Sequence, residues 1–289
     1  AGYCIVVIEH RLDVVLPFVD KVFHVGDKKV TEITDKEHYL KDQSIEIADI
    51  CTEFSGTLPV FSLFDVAFSV KDRDILKGVT FDVLKGSRAV LLGENGCGKT
   101  TLLRLISRLE KPTRGVILQN IDDKFGQKSK QNKKWYKKVG VVYQNPDYQL
   151  FMPTVEKEIK FGAKSDEYAD EIAEKFGVKH LYSRHPQSLS EGQKRRVSIA
   201  AVVATDPEVL ILDEPTVGQD YKGLCEMVEV LNKLHEETHN TMITVTHDKR
   251  CATALCDRSI WIKDGKTYKT GGKMLVNEFF ETQSGVLKN

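Results

Sequence analysis

The residues whose types and spacing point most directly to chemistry occupy positions 93–101, Gly-Glu-Asn-Gly-Cys-Gly-Lys-Thr-Thr. They fit the pattern G-x-x-x-x-G-K-[ST] of a phosphate-binding loop. Glycines without side chains let backbone N–H groups converge on phosphate oxygens. Lys99 is expected to reach the β and γ phosphates, and the Thr100 hydroxyl to hold Mg2+. A glycine turn that binds nothing is the alternative. The expected nucleotide-binding residues are Gly93, Glu94, Asn95, Gly96, Cys97, Gly98, Lys99, Thr100 and Thr101.

The segments on either side of this loop predict the strand-to-helix turn that the motif requires. Ala89-Val90-Leu91-Leu92 is a short apolar run typical of a buried strand. After the loop, apolar residues recur at helical spacing from Leu102 to Leu109. The N-terminus of that helix would add partial positive charge beside the phosphates.

Two adjacent acids follow a second apolar run, Val209-Leu210-Ile211-Leu212. The run predicts a buried strand, and the carboxyl ends of parallel strands line the crevice where α/β sheets bind ligands. Asp213 is therefore expected to hold Mg2+ through water. Glu214 is expected to orient or deprotonate the attacking water. An ordinary acidic turn is the alternative.

Three further polar groups stand at the ends of predicted elements. Gln144 follows a strand predicted at 139–143, where its side chain can hydrogen-bond a metal ligand or a water. His247 follows another β-branched run and can donate to a γ-phosphate oxygen. Ser190 and Gln193 form a capping box, which predicts a helix starting at Ser190 with an N-terminus open to an anion. Taken singly, Gln144 would mean little and His247 would more often be structural.

In this order the motifs resemble those of an ATP-binding cassette (ABC) ATPase, over roughly residues 60–270. The resemblance identifies Gln144 as the Q-loop, Asp213 and Glu214 as the Walker B acids and His247 as the switch histidine. The D-loop ends at Asp220. The most specific motif is the signature, Leu189-Ser190-Glu191-Gly192-Gln193.

The segment around Gln144 is more particularly similar to energy-coupling-factor ATPases, the importers of cobalt, nickel and vitamins. The similar runs are residues 143–151, Pro153-Thr154-Val155-Glu156 and Phe161-Gly162. This resemblance implies an ATPase that powers transport of a metal ion or a vitamin across a membrane through a separate transmembrane subunit. A non-transport cassette acting on ribosomes or DNA, and a low-turnover ATP-sensing module, are the alternatives.

The family resemblance also implies the fold and the arrangement of the site. It implies an α/β P-loop NTPase core, an antiparallel β subdomain and a helical signature subdomain at about residues 150–205. Two cassettes would pack head to tail, with ATP between them. Glu214, His247 and Gln144 would be catalytic, and Thr100, Gln144 and Asp213 would hold Mg2+. The signature residues Ser190, Glu191, Gly192 and Gln193 would act in trans.

A repeat without gaps predicts that the chain opens with the end of an earlier cassette. We expect residues 1–33 to be the tail of a truncated first cassette and 34–59 a linker. Residues 60–275 would form the complete nucleotide-binding domain, and 276–289 a C-terminal tail. The second cassette would then lie in the same parent chain, or a homodimer would supply it. Coincidence between two strand–helix–strand pieces is the alternative. The matched pairs are His10 and His247, Asp20 and Asp257, Val25 and Ile262, Asp27 and Asp264, and Lys29 and Lys266.

Composition limits the classes of partner. The formal net charge is +0, which gives no global attraction to nucleic acid or to an acidic membrane surface. Residues 124–138 form a basic stretch that could be a nucleic-acid patch or a solvated loop. The solvated loop is favoured because the chain as a whole carries no positive excess, so no nucleic acid is expected. No apolar run is long enough to cross a bilayer. Any membrane role must then go through a partner, and the family resemblance implies a cytoplasmic protein, peripheral on the inner face of a membrane. The apolar run at 4–8 predicts a buried parallel strand.

Three positions depart from the family pattern. Glu191 replaces the usual glycine of the signature, and an acid near a phosphate is expected to weaken the trans site. Val70 stands, by register, where the family stacks adenine on an aromatic ring, and Phe68 is a candidate replacement. Cys97 lies near a helix N-terminus, which is expected to acidify its thiol. A thiol-alkylating reagent is then expected to block nucleotide binding, with bound MgATP protecting.

Overall fold

The structure is a computed structural model that describes residues 5–8, 19–26, 28–36, 39, 58–71, 73–121 and 133–283. The strands are β1 (Val22–Gly26), β2 (Lys29–Ile33), β3 (Pro59–Val70), β4 (Arg73–Leu84), β5 (Arg88–Leu92), β6 (Arg114–Gln119), β7 (Val139–Val142), β8 (Val209–Asp213), β9 (Thr241–Val245), β10 (Arg258–Lys263) and β11 (Lys266–Gly271). The helices are α1 (Lys99–Ile106), α2 (Lys133–Lys138), α3 (Val155–Lys160), α4 (Asp166–Lys175), α5 (Glu191–Val203), α6 (Tyr221–Thr238), α7 (Lys249–Ala254) and α8 (Lys273–Gln283).

A nine-stranded sheet in the order β6-β3-β4-β11-β10-β5-β9-β8-β7 organises residues 58–283. The strands β10, β5, β9, β8 and β7 are parallel neighbours, whereas β6, β3 and β4 pair antiparallel. Every residue of β5, β8 and β9 is buried, as expected of parallel strands covered on both faces. The predicted α/β core with an antiparallel β part is confirmed.

The register of the parallel strands brings their carboxyl ends to one edge of the sheet. Leu91 of β5 lies opposite Val245 of β9, which in turn lies opposite Asp213 of β8. Leu212 of β8 lies opposite Val142 of β7. Loops that leave these four strands are therefore neighbours, although they are widely separated in sequence.

The helices α3, α4 and α5 form the predicted helical part of the chain. Each begins at a hydroxyl side chain that accepts a hydrogen bond from a backbone N–H one turn on, and these caps are Thr154, Ser165 and Ser190. Such caps satisfy N–H groups that the helix itself leaves unpaired. The three helices share one apolar core with the sheet, including Ile159 and Ile172, which are fully buried.

A buried ion pair joins β5 to the turn before β10. The Arg88 guanidinium donates to both carboxylate oxygens of Asp257, at 2.6 and 3.1 Å, and to the Asn232 carboxamide oxygen at 2.7 Å. The Arg88 backbone N–H also donates to Asp257, at 2.8 Å. The Arg88 side chain is 1% exposed and that of Asp257 is 7% exposed. The two charges therefore depend on each other for solvation.

The chain differs from expectation at both ends. The predicted tail begins at residue 276, but Val276 and Phe279 of α8 are buried against Trp261, so the packed unit continues to Gln283. The run at 4–8 was expected to be a buried strand, but residues 5–8 form no strand. Ile5 is 82% exposed and Ile8 is 91% exposed, because no neighbouring strand among the described residues covers them. His10, Asp27 and most of the 34–59 segment lie outside the described residues.

The strands β1 and β2 form a separate antiparallel pair. At its turn, Val25 lies opposite Val30 and Gly26 lies opposite Lys29. In the large sheet, Ile262 lies opposite Thr267 and Lys263 lies opposite Lys266. These positions correspond one to one in the repeat that the sequence predicts, so the two hairpins have the same pairing at their turns.

Candidate functional site

The loop after β5 wraps around the ammonium group of its own lysine. Lys99 Nζ donates to the backbone oxygens of Gly93 and Glu94, at 2.7 and 2.9 Å. Gly98 begins α1 with φ 105°, a conformation that favours glycine. A Cβ atom there would lie 2.6 Å from Leu76 Cδ2. The loop therefore lies directly on β4 and has no room for a side chain at this position.

A cavity of about 370 Å³ lies beside this loop. Its lining comes from loops at the carboxyl ends of β5, β7, β8 and β9, together with the start of β4. Residues predicted from separate motifs therefore meet at one place. The lining residues are Arg73, Ile75, Asn95, Gly96, Gly98, Lys99, Thr100, Thr101, Gln144, Asp213, Glu214, Val245 and His247.

The Glu214 carboxylate is buried and held by the loop after β9. Its Oε2 accepts from the His247 backbone N–H at 3.2 Å, and its Oε1 lies 3.5 Å from His247 Nε2. Burial raises the pKa of Glu214 to about 7, and the neighbouring charge of Asp213 acts in the same direction. The His247 N–H bond opposes this shift. The net effect is a carboxyl whose pKa is raised toward neutral pH.

The oxygen donors at the cavity suit a hard divalent cation. Thr100 Oγ1 donates to Asp213 Oδ2 at 3.4 Å, and the Gln144 carboxamide lines the same cavity. Hydroxyl, carboxylate and carboxamide oxygens are the groups that Mg2+ prefers. Among the described residues, no cluster of three or more His, Cys, Asp or Glu side chains is arranged to hold a metal. The hydroxyl, carboxylate and carboxamide oxygens of Thr100, Asp213 and Gln144 fit a magnesium ion that shares its coordination with substrate phosphates.

Arg195, which the motifs did not single out, fixes the backbone that leads into Gln144. Its guanidinium donates to the backbone oxygens of Tyr143, at 2.7 Å, and of Gln144. The side chain is 2% exposed. The sequence contains one weak sign that Arg195 is buried. It lies four residues before the apolar Ile199, and this spacing puts the two side chains on the same helix face. The helix that carries the signature is thereby bonded to the loop that carries Gln144.

The signature residues and Asp220 do not line this cavity. The predicted capping box is present, with Gln193 N–H donating to Ser190 Oγ at 3.3 Å. Gln219 Nε2 donates to the Gly192 backbone oxygen at 2.8 Å and so joins the signature to the D-loop. The exposed Glu191 carboxylate lies 3.7 Å from Lys194 Nζ. The same ammonium donates to Asp147 Oδ1 at 2.8 Å, so the acid that departs from the family pattern shares this positive charge with Asp147.

The two candidate positions for base stacking lie away from the cavity lining. Val70 is 46% exposed at the end of β3, and Phe68 packs against the apolar core under the sheet. Arg73 and Ile75 of β4 line the cavity instead. The motifs did not single out either residue. The only sign in the sequence was their position, just after the β3–β4 turn and before the phosphate loop.

The expectation of an acidified Cys97 is wrong. Burial raises the pKa of the Cys97 thiol above its ordinary value, and this effect outweighs the positive charge of Lys99. The Cys97 sulfur lies beneath the loop, where a Cβ atom on Gly93 would come within 2.5 Å of it. The thiol therefore faces the inside of the loop and not the cavity.

We expect iodoacetamide to modify Cys97 slowly at pH 7 and faster as the pH rises past the ordinary thiol value of about 8.5, because the thiolate is the reacting form. Modification is expected to block MgATP binding, and bound MgATP to protect. Mass spectrometry of the loop peptide gives the rate, and Cys97→Ser is the control for the binding assay. Fast modification at pH 7, or modification unaffected by MgATP, would contradict this account.

The sequence profile of the ABC transporter family matches residues 76–217. The energy-coupling factor transporter ATP-binding protein EcfA2 of Enterococcus faecalis is 39% identical, over 77% of this chain and 75% of that protein. The putative HMP/thiamine import ATP-binding protein YkoD of Bacillus subtilis is 31% identical over 91% of this chain. This chain spans 55% of the length of YkoD.

Solved structures have the same fold. The cbiO1 protein of Clostridium perfringens, part of the ABC transporter complex cbiONQ, superposes with a TM-score of 0.67 and is 31% identical. The match covers 80% of this chain and 95% of cbiO1. A dimeric, post-hydrolysis structure of the ATP-binding cassette MJ0796 with ADP and Pi superposes with a TM-score of 0.64 at 27% identity. That match covers 74% of this chain and 98% of MJ0796.

Proposed function

Because the chain belongs to the ABC transporter ATPases of the energy-coupling-factor type, we propose that it powers import of a small solute, a metal ion or a vitamin, through a separate transmembrane partner. One observation carries the proposal. A single cavity is lined by groups at the carboxyl ends of four parallel strands, β5, β7, β8 and β9, and in the loops that follow them. They are the groups that ATP hydrolysis needs: phosphate binders, oxygen donors for Mg2+ and a carboxylate base.

At this cavity we assign a role to each predicted residue. The backbone N–H groups of residues 93–101 and the Lys99 ammonium hold the phosphates. Thr100, Asp213 and Gln144 would hold Mg2+, which neutralises charge that builds up on the phosphates. Glu214 accepts the proton of the attacking water. His247 donates to a γ-phosphate oxygen.

The position of Glu214 supports its role as the base. Its carboxylate is 5% exposed, so little solvent competes for its oxygens. The contact with the His247 backbone N–H, at 3.2 Å, orients one oxygen and leaves the carboxylate at the cavity wall. A base whose pKa lies near the working pH transfers protons efficiently.

A second cassette is needed to complete the site. Ser190, Glu191, Gly192 and Gln193 are outside the cavity lining, and in our proposal they contact the nucleotide of the partner cassette. Gln219 bonds this signature to the loop that ends at Asp220, so both would move together. The matched turn pairing of β1–β2 and β10–β11 supports a partner cassette within the same parent protein; a homodimer is the other source.

An exposed aromatic patch beside the Gln144 loop is the surface we assign to the transmembrane partner. The patch consists of Tyr148, Phe151 and Phe161, which are 79%, 66% and 58% exposed. The Phe151 and Phe161 rings meet edge to face, 5.5 Å apart. The buried Glu158 carboxylate accepts from the Phe151 backbone N–H at 2.9 Å and holds this loop in place. Exposed apolar clusters of this kind mark interaction sites.

No helix among the described residues is long and apolar enough to cross a membrane. Contact with a membrane therefore depends, in our proposal, on the partner. We propose that the protein lies on the cytoplasmic face of that membrane, where ATP is available.

The test is affinity purification of the protein from its native membranes, as wild type and as Phe151→Ser/Phe161→Ser. Phe64→Ser is the matched control, since Phe64 is 49% exposed on β3. We expect a polytopic membrane protein to copurify with wild type and Phe64→Ser, and to be lost from the double variant. Ribosomal or DNA-bound partners, with no integral membrane protein, would contradict the proposal and favour a non-transport cassette.

A further inference from the structure

We propose that the Arg73 guanidinium binds the nucleoside part of the nucleotide by lying on the face of its base, and that the site accepts nucleoside triphosphates with little regard to the base. This inference rests on the proposed nucleotide site. It concerns the part of that site that no motif covers, the wall formed by the start of β4.

The phosphate and metal ends of the cavity are accounted for by other groups. Lys99 and the glycine backbone occupy one side. The acids Asp213 and Glu214 face the reacting phosphate and would repel further anionic groups. Of the residues that line the cavity, Arg73, Ile75 and Val245 belong to neither set. Val245 ends β9, beside the acids, so we propose that the nucleoside leaves the phosphates along β4.

The start of β4 is in contact with the phosphate loop. A Cβ atom on Gly98 would lie 3.3 Å from Ile75 Cγ2 and 2.6 Å from Leu76 Cδ2. A nucleoside that follows the triphosphate out of the loop thus meets Ile75 first and Arg73 next. Ile75 provides a half-buried apolar surface, and Arg73 is exposed at the mouth of the cavity.

Among the described residues, no Phe, Tyr or Trp side chain lines this cavity, and its one ring is the His247 imidazole at the phosphate end. Arg73 is the cross-strand partner of Val70, and such partners have Cβ atoms about 4.5–5.5 Å apart. Arg73 is thus the lining residue that stands next to position 70, where the family pattern has an aromatic ring. The Arg73 side chain makes no hydrogen bond or ion pair within the part of the chain that the structure describes, so its guanidinium is available to a ligand.

A guanidinium suits this task because it is planar, weakly hydrated and stacks on flat π systems. Every base has a π face, so stacking contacts tolerate changes of base. The carboxamides and carboxylates of the lining, Asn95, Gln144, Asp213 and Glu214, belong to the phosphate loop and to the loops after β7 and β8, and in our proposal they act on the phosphates and the metal. The expected consequence is similar affinity for MgATP and MgGTP.

The competing explanation is that Arg73 binds a phosphate as a simple cation. Magnesium tripolyphosphate separates the two, because it has the phosphates of ATP but no nucleoside. The probes are MgATP, MgGTP and magnesium tripolyphosphate, with dissociation constants from titration calorimetry. The variants are Arg73→Ala and its matched control Lys71→Ala. Both remove one exposed positive charge from the same turn, and Lys71 does not line the cavity.

We expect Arg73→Ala to weaken MgATP and MgGTP binding by about 2- to 30-fold, the range of one cation–π contact, and to leave tripolyphosphate binding unchanged. Lys71→Ala should change none of the three. The inference would be overturned if Arg73→Ala weakened tripolyphosphate binding as much as nucleotide binding, or did not weaken nucleotide binding at all. It would also be overturned if Lys71→Ala weakened nucleotide binding equally, or if the wild type strongly preferred one base. Failure of the wild type to bind any of the probes would instead refute the nucleotide site itself.

Discussion

Glu214→Gln is expected to lower kcat for ATP hydrolysis by about 10²- to 10⁴-fold, the usual contribution of a general base, while MgATP still binds. Glutamine has the shape of glutamate and still accepts the hydrogen bond from the His247 N–H, but it cannot take a proton from water. Phosphate release measures turnover, and equilibrium titration measures binding.

The control for this variant is Glu208→Gln. Glu208 immediately precedes the first residue of β8, whereas Glu214 follows the last. Glu208 is paired with Lys138 at 2.7 Å and lies far from the cavity lining. The Glu208→Gln variant should have a kcat within about two-fold of the wild type, since surface substitutions of this kind have small effects. Turnover in Glu214→Gln within ten-fold of the wild type would contradict the assigned base.

The same residue predicts a pH dependence. The pKa of Glu214 is raised to about 7 in the nucleotide-free protein, and only the deprotonated form can act as a base. The kcat/KM of the wild type, which reports the free enzyme, should therefore fall as the pH drops below about 7. A profile that stays flat between about pH 5.5 and about pH 8 would contradict the assignment.

Asp257→Asn is expected to lower the free energy of unfolding by about 3–5 kcal/mol, because it leaves the buried Arg88 charge without its counter-ion. Arg88 is 1% exposed and donates to both oxygens of Asp257. Asparagine keeps the shape but has no negative charge, and its amide group would face the guanidinium. Urea unfolding followed by circular dichroism measures the loss.

Glu110→Gln is the matched control for the ion pair. Glu110 pairs with Arg104 at 2.9 Å, but the two side chains are 38% and 53% exposed. Exposed pairs contribute about 0–1 kcal/mol, so this variant should unfold close to wild type. A change below about 1 kcal/mol in Asp257→Asn would show that Arg88 finds other solvation, and would contradict the account of a mutually dependent pair.

The sequence could predict the parts of the cavity that depend on local pattern. Gln144, Asp213 and His247 each follow a β-branched or apolar run, and parallel strands bring such positions to one edge of the sheet. The capping box at Ser190 was predictable because both of its bonds form within four residues. The antiparallel pair β3–β4 was predictable from its alternation.

Long-range packing was not predictable in the same way. Arg195 looks like one of several helical cations, and only the fold brings it to the Tyr143 and Gln144 carbonyls. Cys97 follows the rule for thiols at helix N-termini, but burial of its side chain under the loop outweighs that rule. The place of Arg73 in the cavity wall depends on how β4 meets the phosphate loop, which is set by contacts with Gly98.

The ends of the chain show the same limit. The apolar pattern at 4–8 is that of a buried strand, yet burial requires neighbours that lie elsewhere in the fold, and residues 5–8 are exposed. At the other end, Phe279 and Val276 resemble an irregular tail in sequence but pack against Trp261. Apolar spacing predicts that a segment has a face to bury, and it does not predict what will cover that face.

Phosphate release from MgATP by the protein together with the membrane proteins that copurify with it, reconstituted in lipid vesicles, tests the central claim most directly. The account predicts steady release from the wild-type complex and its loss in the Glu214→Gln complex, while both complexes bind MgATP. Release that persists in Glu214→Gln would contradict the assigned site. Saturable MgATP binding without release from the wild-type complex would contradict an ATPase that powers transport, and would favour a nucleotide-sensing module.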